Sequence, residues 1–275
     1  MKIIDQKTLK QLSELLGELK SGEKTVLIIH DVDGDGTSSA KILQEALKRL
    51  EIKVKLKFAA YDRSNLFGDF MKEFLEKRKV SVIFTTDINI FSTNYPQQKE
   101  LLKNKTVVIF DHHEAPKDIE KNVLYFHPTI TYGFKEPSQY CTSKLVYDVF
   151  SEYTDLTDLD WVASIGMVSD STYPTWKEFV DKTLTDLGLP IPKSPFDSEL
   201  QRAGILLYYG LSMDRASADA AIKAYFSAKS YQEALEQLKP YQVVEEEIHQ
   251  LLNSWKKIVE KKGDIYFLVV KPKYK

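Results

Sequence analysis

The chain has a single cysteine, Cys141, in 275 residues. That excludes an intrachain disulfide and a cysteine-built zinc cluster, and it fits a reducing compartment. No apolar run approaches the ~20 residues that span a bilayer. The first twenty residues form an amphipathic Leu/Lys/Glu pattern without the long apolar segment of a secretory signal. Excess positive charge is missing too: 38 basic residues stand against 40 acidic, for a formal net charge of -2. A polyanion is therefore not attracted in bulk and must be gripped locally, by metal or by a clustered patch. The expectation is a soluble cytoplasmic protein, with no membrane partner and with enough chain for one large domain or two small ones.

What is present is concentrated in Thr25-Val-Leu-Ile-Ile-His-Asp-Val-Asp-Gly-Asp-Gly-Thr-Ser-Ser39. Val26 to Ile29 is short, β-branched and continuously apolar, as in a parallel strand covered on both faces. Such strands place ligands at their carboxyl ends. Asp31, Asp33 and Asp35 at alternate positions repel one another, and a divalent cation compensates them compactly. The blander alternative is a solvated Asp-Gly loop that caps the following helix, with Thr37 or Ser38 as N-cap. The run also matches the opening of an EF-hand loop, but the twelfth position counted from Asp31 is Ile42 rather than glutamate, which excludes calcium.

Apolar bursts separated by amphipathic stretches mark the first half as α/β. Helices are expected over Asp5 to Lys20, Thr37 to Leu50 and Asn65 to Lys79. Strands are expected over Thr25 to His30, Ile52 to Phe58, Val80 to Thr86, Thr106 to Phe110 and Val123 to Phe126. The pattern is a doubly wound, mostly parallel sheet. Pro137 opens a helix running to Tyr153, and another covers Thr157 to Ser169, ending at Asp170. After a proline-rich passage with a short helix at Trp176 to Leu187, the periodicity is helical over Glu199 to Tyr209, Arg215 to Ala228, Tyr231 to Leu238 and Val243 to Lys262. Asp264 to Val270 reads as a strand that begins something further.

Three strands end in acidic or imidazole groups: Asp31/Asp33/Asp35, Asp87, and Asp111-His112-His113. Parallel strands bring these ends to one edge of the sheet. A lone aspartate after a strand is usually a helix cap, but the three ends together point to a metal centre. Oxygen-rich ligation with imidazole and no thiolate suits manganese or magnesium better than zinc.

These three strand ends, with Gly166-Met-Val-Ser-Asp170 at a helix end, resemble the four motifs of the DHH phosphoesterase superfamily over roughly residues 24 to 172. Ser198-Glu-Leu-Gln-Arg-Ala-Gly-Ile-Leu-Leu is similar to the helical connector of archaeal RecJ-like and nanoRNase-like members. The resemblance implies a DHH domain over 1–175, a helical connector over 176–262, and the start of a second domain over 263–275. It also implies two Mn2+ or Mg2+ ions: Asp33 and Asp31 on the first, Asp35, His112 and Asp170 on the second, and Asp87 bridging both. Asp111 would orient His112, and His113 would contact the phosphate or protonate the leaving oxygen. Arg63 is a further candidate for the phosphate. The implied activity is two-metal hydrolysis of single-stranded DNA or RNA, or short oligonucleotides, from a 5′ end. The alternative is a RecJ-like scaffold that meets replication proteins, such as a helicase accessory complex, without cutting. The family's glycine-rich substrate-gripping motif is not found in the sequence. His30, His127 and His249 read as structural or solvated, Cys141 as a small core residue, and Tyr208, Tyr209 and the tryptophans as core rather than base-stacking groups.

Overall fold

The computed structural model describes residues 2–61, 66, 68–88, 90, 95–115 and 120–268. The chain divides into two compact units, Met1–Gln201 and Arg202–Lys275. In chain order the elements of the first are α1 (Gln6–Leu19), β1 (Thr25–His30), α2 (Gly34–Arg49), β2 (Val54–Ala59), α3 (Asp69–Lys77), β3 (Val80–Thr86), α4 (Tyr95–Leu102), β4 (Thr106–Phe110), β5 (Val123–Phe126), α5 (Pro128–Tyr132), α6 (Thr142–Ser151), α7 (Asp160–Ser169) and α8 (Lys177–Asp186). Among the described residues its five strands are all parallel, in the order β2-β1-β3-β4-β5. This is the doubly wound arrangement read from the sequence, with the order reversing between β1 and β3.

The alternation of side chains sorts the strands' apolar residues onto two faces. Leu27, Ile29, Ile83, Val107, Ile109 and Tyr125 pack with Met71 and Leu75 of α3 and Leu102 of α4. On the other face Phe110 stacks on Phe126 at 4.8 Å and meets Phe150 of α6 at 5.8 Å. There α2, α6 and α7 pack on one another. Burial on both faces explains why the strands are continuous apolar runs.

Register decides what happens at the carboxyl edge. His30 pairs with both Ala59 and Thr86, Thr86 with Phe110, and Phe110 with Phe126. The strands therefore end level, and Asp31, Asp87, Asp111 and His127 follow one another along a single row, one strand spacing of about 4.8 Å apart. Main-chain bonds carry the ladder one step further: the Asp31 N–H donates to Thr86 O at 3.2 Å, Asp87 to Phe110 at 2.9 Å and Asp111 to Phe126 at 3.1 Å.

The structure departs from several sequence expectations. α2 begins at Gly34 with Asp33 as its N-cap, and Thr37 and Ser38 lie buried inside it. Its apolar periodicity begins only at Ala40, which hid the first turn. α4 was not expected, because its polar sequence carries little periodicity. α5 also escaped notice, although Pro128 at its first position and Gly133 in the left-handed region after its end (φ 69°) are readable signals. The helix expected from Pro137 breaks: a single turn over Pro137–Gln139 precedes α6, whose N-cap is Cys141.

The second unit holds most of α9 (Glu199–Ser212), then α10 (Arg215–Ser227), α11 (Tyr231–Leu238), α12 (Val243–Ile258), β6 (Val259–Lys262) and β7 (Ile265–Leu268). Arg202 forks onto both oxygens of Glu245 at 2.8 and 2.9 Å, tying α9 to α12. The helix expected to reach Lys262 stops at Ile258. Residues 259–262 instead form an antiparallel hairpin with β7. Gly263, with φ of 64°, and Asp264 supply the tight two-residue turn such a hairpin needs. Tyr208 and Trp255 are exposed, contrary to the core reading, whereas Trp161 is buried. Among the described residues no helix is long and apolar enough to cross a membrane.

Phe110 closes the α6 face of the sheet, so Phe110→Ala should cost roughly 3–5 kcal/mol. Urea unfolding followed by circular dichroism measures this, and a loss under about 1 kcal/mol would contradict the packing described.

Candidate metal centre

Among the described residues, three sets of side chains at this edge have ligand atoms within 4.8 Å of one another: Asp31, Asp33 and Asp87; Asp35, His112 and Asp170; and Asp87, His112 and His113. Asp31 and Asp111 are wholly buried, Asp35 and Asp87 nearly so. Asp33 and Asp35 come from the start of α2, and Asp170 from the end of α7. Arg63 lies outside the described residues.

Local structure fixes each group differently. The Asp33 Oδ1 accepts the Gly36 N–H at 2.8 Å. Asp35 receives two main-chain donors from the start of α6, Thr142 N–H at 2.6 Å and Ser143 N–H at 2.9 Å. Asp87 has φ of 62°, a left-handed conformation that an L side chain adopts only under constraint. Its Oδ1 accepts the Thr142 hydroxyl at 3.0 Å and lies 3.4 Å from His112 Nε2.

Two glycines permit the close approach. A Cβ on Gly36 would sit 2.5 Å from the Asp31 Cβ. A Cβ on Gly166 would sit 2.6 Å from the Ser143 Cβ and 2.8 Å from Asp35 Oδ1.

The resemblance pairs Asp111 with His112, but the structure pairs it with His113, whose Nδ1 lies 2.7 Å from Asp111 Oδ1. The chain bends at His113, where Asp111 and His113 meet, and His112 is the more deeply placed imidazole. His112 is 8% exposed and the His113 side chain 45%. His127 also matters in a way its sequence reading did not show. It is buried, and its Nε2 meets the His113 carbonyl at 2.9 Å, holding the main chain of the Asp-His-His turn. Its place at the end of β5, level with Asp111, was the available signal. His30 is structural as expected: its Nδ1 meets the Asp31 carbonyl at 2.6 Å, and burial, with Lys57 second, pushes its pKa down to about 3. Cys141 is buried, and burial raises its thiol well above the usual range.

The electrostatics fit a cation. Burial and then the charges of Asp35 and Asp33 push Asp170 up to about 8. Asp87 is raised well above the carboxylate range by burial, then by Asp35, Asp33, Asp111 and Asp170. Asp33 is raised by burial and then by Asp35. His112 Nδ1 and Asp170 Oδ2 face each other across 3.7 Å, and neither makes a hydrogen bond among the described residues. Orphaned buried donor atoms that converge on one point are what a divalent ion satisfies. The oxygen and imidazole set suits Mn2+ or Mg2+.

The DHH family, N-terminal domain, matches residues 25–166, and the chain belongs to that family. It is 29% identical over 175 residues to the single-stranded-DNA-specific exonuclease RecJ of Bacillus subtilis (strain 168), a match covering 60% of this chain and 21% of that protein. RecJ in complex with Mn2+ from Thermus thermophilus aligns with a TM-score of 0.64 at 18% identity, over 93% of this chain and 40% of that one. CDC45 from Entamoeba histolytica aligns with a TM-score of 0.56 at 11% identity, over 90% and 74%. At those identities the two structures show a shared fold. The match thus spans less than half the length of these two RecJ proteins.

A carboxylate whose folded pKa lies above its unfolded value keeps a proton that the unfolded chain has released, so stability falls as pH rises between the two values. For Asp170 that window runs from the ordinary value of 3.8 to about 8, and Asp33 and Asp87 act in the same direction. His30 and His127, both lowered by burial, act oppositely but only below the ordinary histidine range, about pH 6.5. Thermal melting of metal-stripped protein should therefore show a midpoint falling from about pH 7 to pH 8, and added Mn2+ should remove the fall. A flat or rising midpoint without metal would contradict this account.

Proposed function

We propose that this chain hydrolyses phosphodiester bonds in single-stranded DNA or RNA, or short oligonucleotides, from the 5′ end, with two Mn2+ or Mg2+ ions as cofactors. The observation that carries this reading is the convergence of buried carboxylates and imidazoles where the strand order reverses, with His112 Nδ1 and Asp170 Oδ2 facing each other without a hydrogen bond. Asp31 and Asp33 would hold one ion and Asp35, His112 and Asp170 the other, and Asp87, which groups with Asp31 and Asp33 and lies 3.4 Å from His112, would serve both. When bound, such a pair supplies positive charge to the phosphoryl oxygens and lowers the pKa of an attacking water.

The chain's own groups do the rest. The Asp111 carboxylate accepts from His113 Nδ1–H and holds the ring in one orientation. The opposite edge of the ring, on a side chain 45% exposed, is left to donate to a phosphate oxygen or to protonate the leaving oxygen. Parallel strands on both sides shut solvent away from Asp31 and Asp111, which strengthens every charge interaction at the row. The name of the B. subtilis relative, a single-stranded-DNA-specific exonuclease, supports the choice of substrate. A binding module that meets single strands or replication proteins without cutting has no use for buried carboxylates that destabilise one another.

Hydrolysis of 5′-labelled single-stranded DNA and RNA with Mn2+ tests the proposal: release of 5′ mononucleotides is expected, and cleavage of neither strand with Mn2+ bound favours the binding module. Asp87→Ala should abolish cleavage and lower Mn2+ occupancy at both sites. His113→Ala should keep the metal and slow turnover by ~10²-fold or more. Equal metal loss in the two variants, read by inductively coupled plasma mass spectrometry, would overturn this division of roles.

A further inference from the structure

Thr142 is wholly buried at the first position of α6 and is engaged twice at the site. Its main-chain N–H donates to Asp35 Oδ2 at 2.6 Å, and its hydroxyl donates to Asp87 Oδ1 at 3.0 Å. The Ser143 N–H completes the grip on Asp35 at 2.9 Å. These are amide groups that a helix start leaves without intrahelical partners, and the helix dipole there favours a carboxylate. Gly166 of α7 presses on the same spot, where any side chain would meet Ser143 and Asp35. The start of α6 is thus clasped to two carboxylates that come from different parts of the sheet edge, one after β1 and one after β3.

The two grips are not equivalent. The bonds to Asp35 come from the main chain and survive any substitution that leaves α6 in place. The bond to Asp87 comes from a hydroxyl and depends on the residue type. Asp87 is also the group most in need of a fixed orientation, since its backbone is held left-handed (φ 62°) and its carboxylate lies against both His112 and His113.

We infer that Thr142 is a positioning residue: its hydroxyl fixes the rotation of the Asp87 carboxylate while its main chain holds Asp35, so the shared ligand is oriented before a cation binds. This rests on the metal-dependent reading above. A neutral donor does this without adding positive charge that would compete with the ion. The Thr142 side chain is not itself a ligand and touches no substrate.

Thr142→Val keeps the β-branched shape and removes only the hydroxyl, and Thr142→Ser keeps the hydroxyl. Mn2+ titration by calorimetry on the full chain, with oligonucleotide turnover measured alongside, separates the roles. Thr142→Val should weaken Mn2+ binding about 10–100-fold, as removal of a group that orients a metal ligand does. At saturating Mn2+ its kcat should fall while KM for the oligonucleotide stays near the parent's. Thr142→Ser should restore affinity to within about threefold of the parent. Circular dichroism and the melting midpoint of the metal-stripped variants check that α6 and the sheet are intact. Parental Mn2+ affinity and kcat in a folded Thr142→Val protein would overturn the inference, and so would a Thr142→Ser protein as impaired as Thr142→Val. If the parent binds Mn2+ but cleaves no oligonucleotide, the nuclease reading fails alone, and the affinity difference between the two variants still decides this one.

Discussion

The structure depends on one costly arrangement: carboxylates gathered at the end of a parallel sheet and taken out of water. Asp31 and Asp111 have no exposed surface, and Asp35 and Asp87 have almost none. Burial and mutual repulsion act in the same direction on Asp87 and Asp170, as their raised pKa values show. An isolated carboxylate in this position would stay protonated or be replaced over time by an apolar residue. A cluster of them is tolerable where positive charge arrives from outside the chain, and the orphaned atoms of His112 and Asp170 mark one place where it is wanted.

Much of the remaining architecture serves to hold that arrangement still. Level strand ends set Asp31, Asp87 and Asp111 one strand apart, and the ladder bonds from their amides to Thr86, Phe110 and Phe126 lock the spacing. Phe110 links the two levels: its ring fills the core beneath the site, while its carbonyl holds the strained backbone of Asp87. On the α6 side, the helix start and the bare backbone of Gly166 let α2, α6 and α7 close around Asp35. Packing distant from the row holds its side chains in place, which is how such a cluster acquires a fixed geometry.

The sequence showed the sheet well because its strands are buried on both faces and so are written as unbroken apolar runs. The site was legible for a related reason. Residues directly after such strands lie on the carboxyl edge by topology alone, so Asp31, Asp87, Asp111 and His112 could be placed together without knowing any side-chain contact. What stayed hidden was long-range or carried by the main chain. Thr142 and Ser143 reach Asp35 through backbone amides, and no side-chain pattern announces those. The break before α6 was invisible to apolar periodicity, although it creates the amides that hold Asp35. The end of α12 was missed because Val259 to Lys262 suits a helix as well as a strand, and only the Gly263-Asp264 turn separates the two.

The adjacent histidines show how far local stereochemistry goes towards dividing chemical roles. The two rings are 4.7 Å apart and both approach the Asp87 carboxylate, His112 Nε2 at 3.4 Å and His113 Nδ1 at 3.9 Å. They differ in depth and in the second carboxylate that each one meets. His112 is the more buried and lies within reach of Asp170, whereas His113 is half exposed and pairs with Asp111. The 2.7 Å contact between His113 and Asp111 is made where the chain bends after β4. A group suited to hold metal and a group suited to move a proton thus arise from one dipeptide. His127 keeps the main chain of this turn in place.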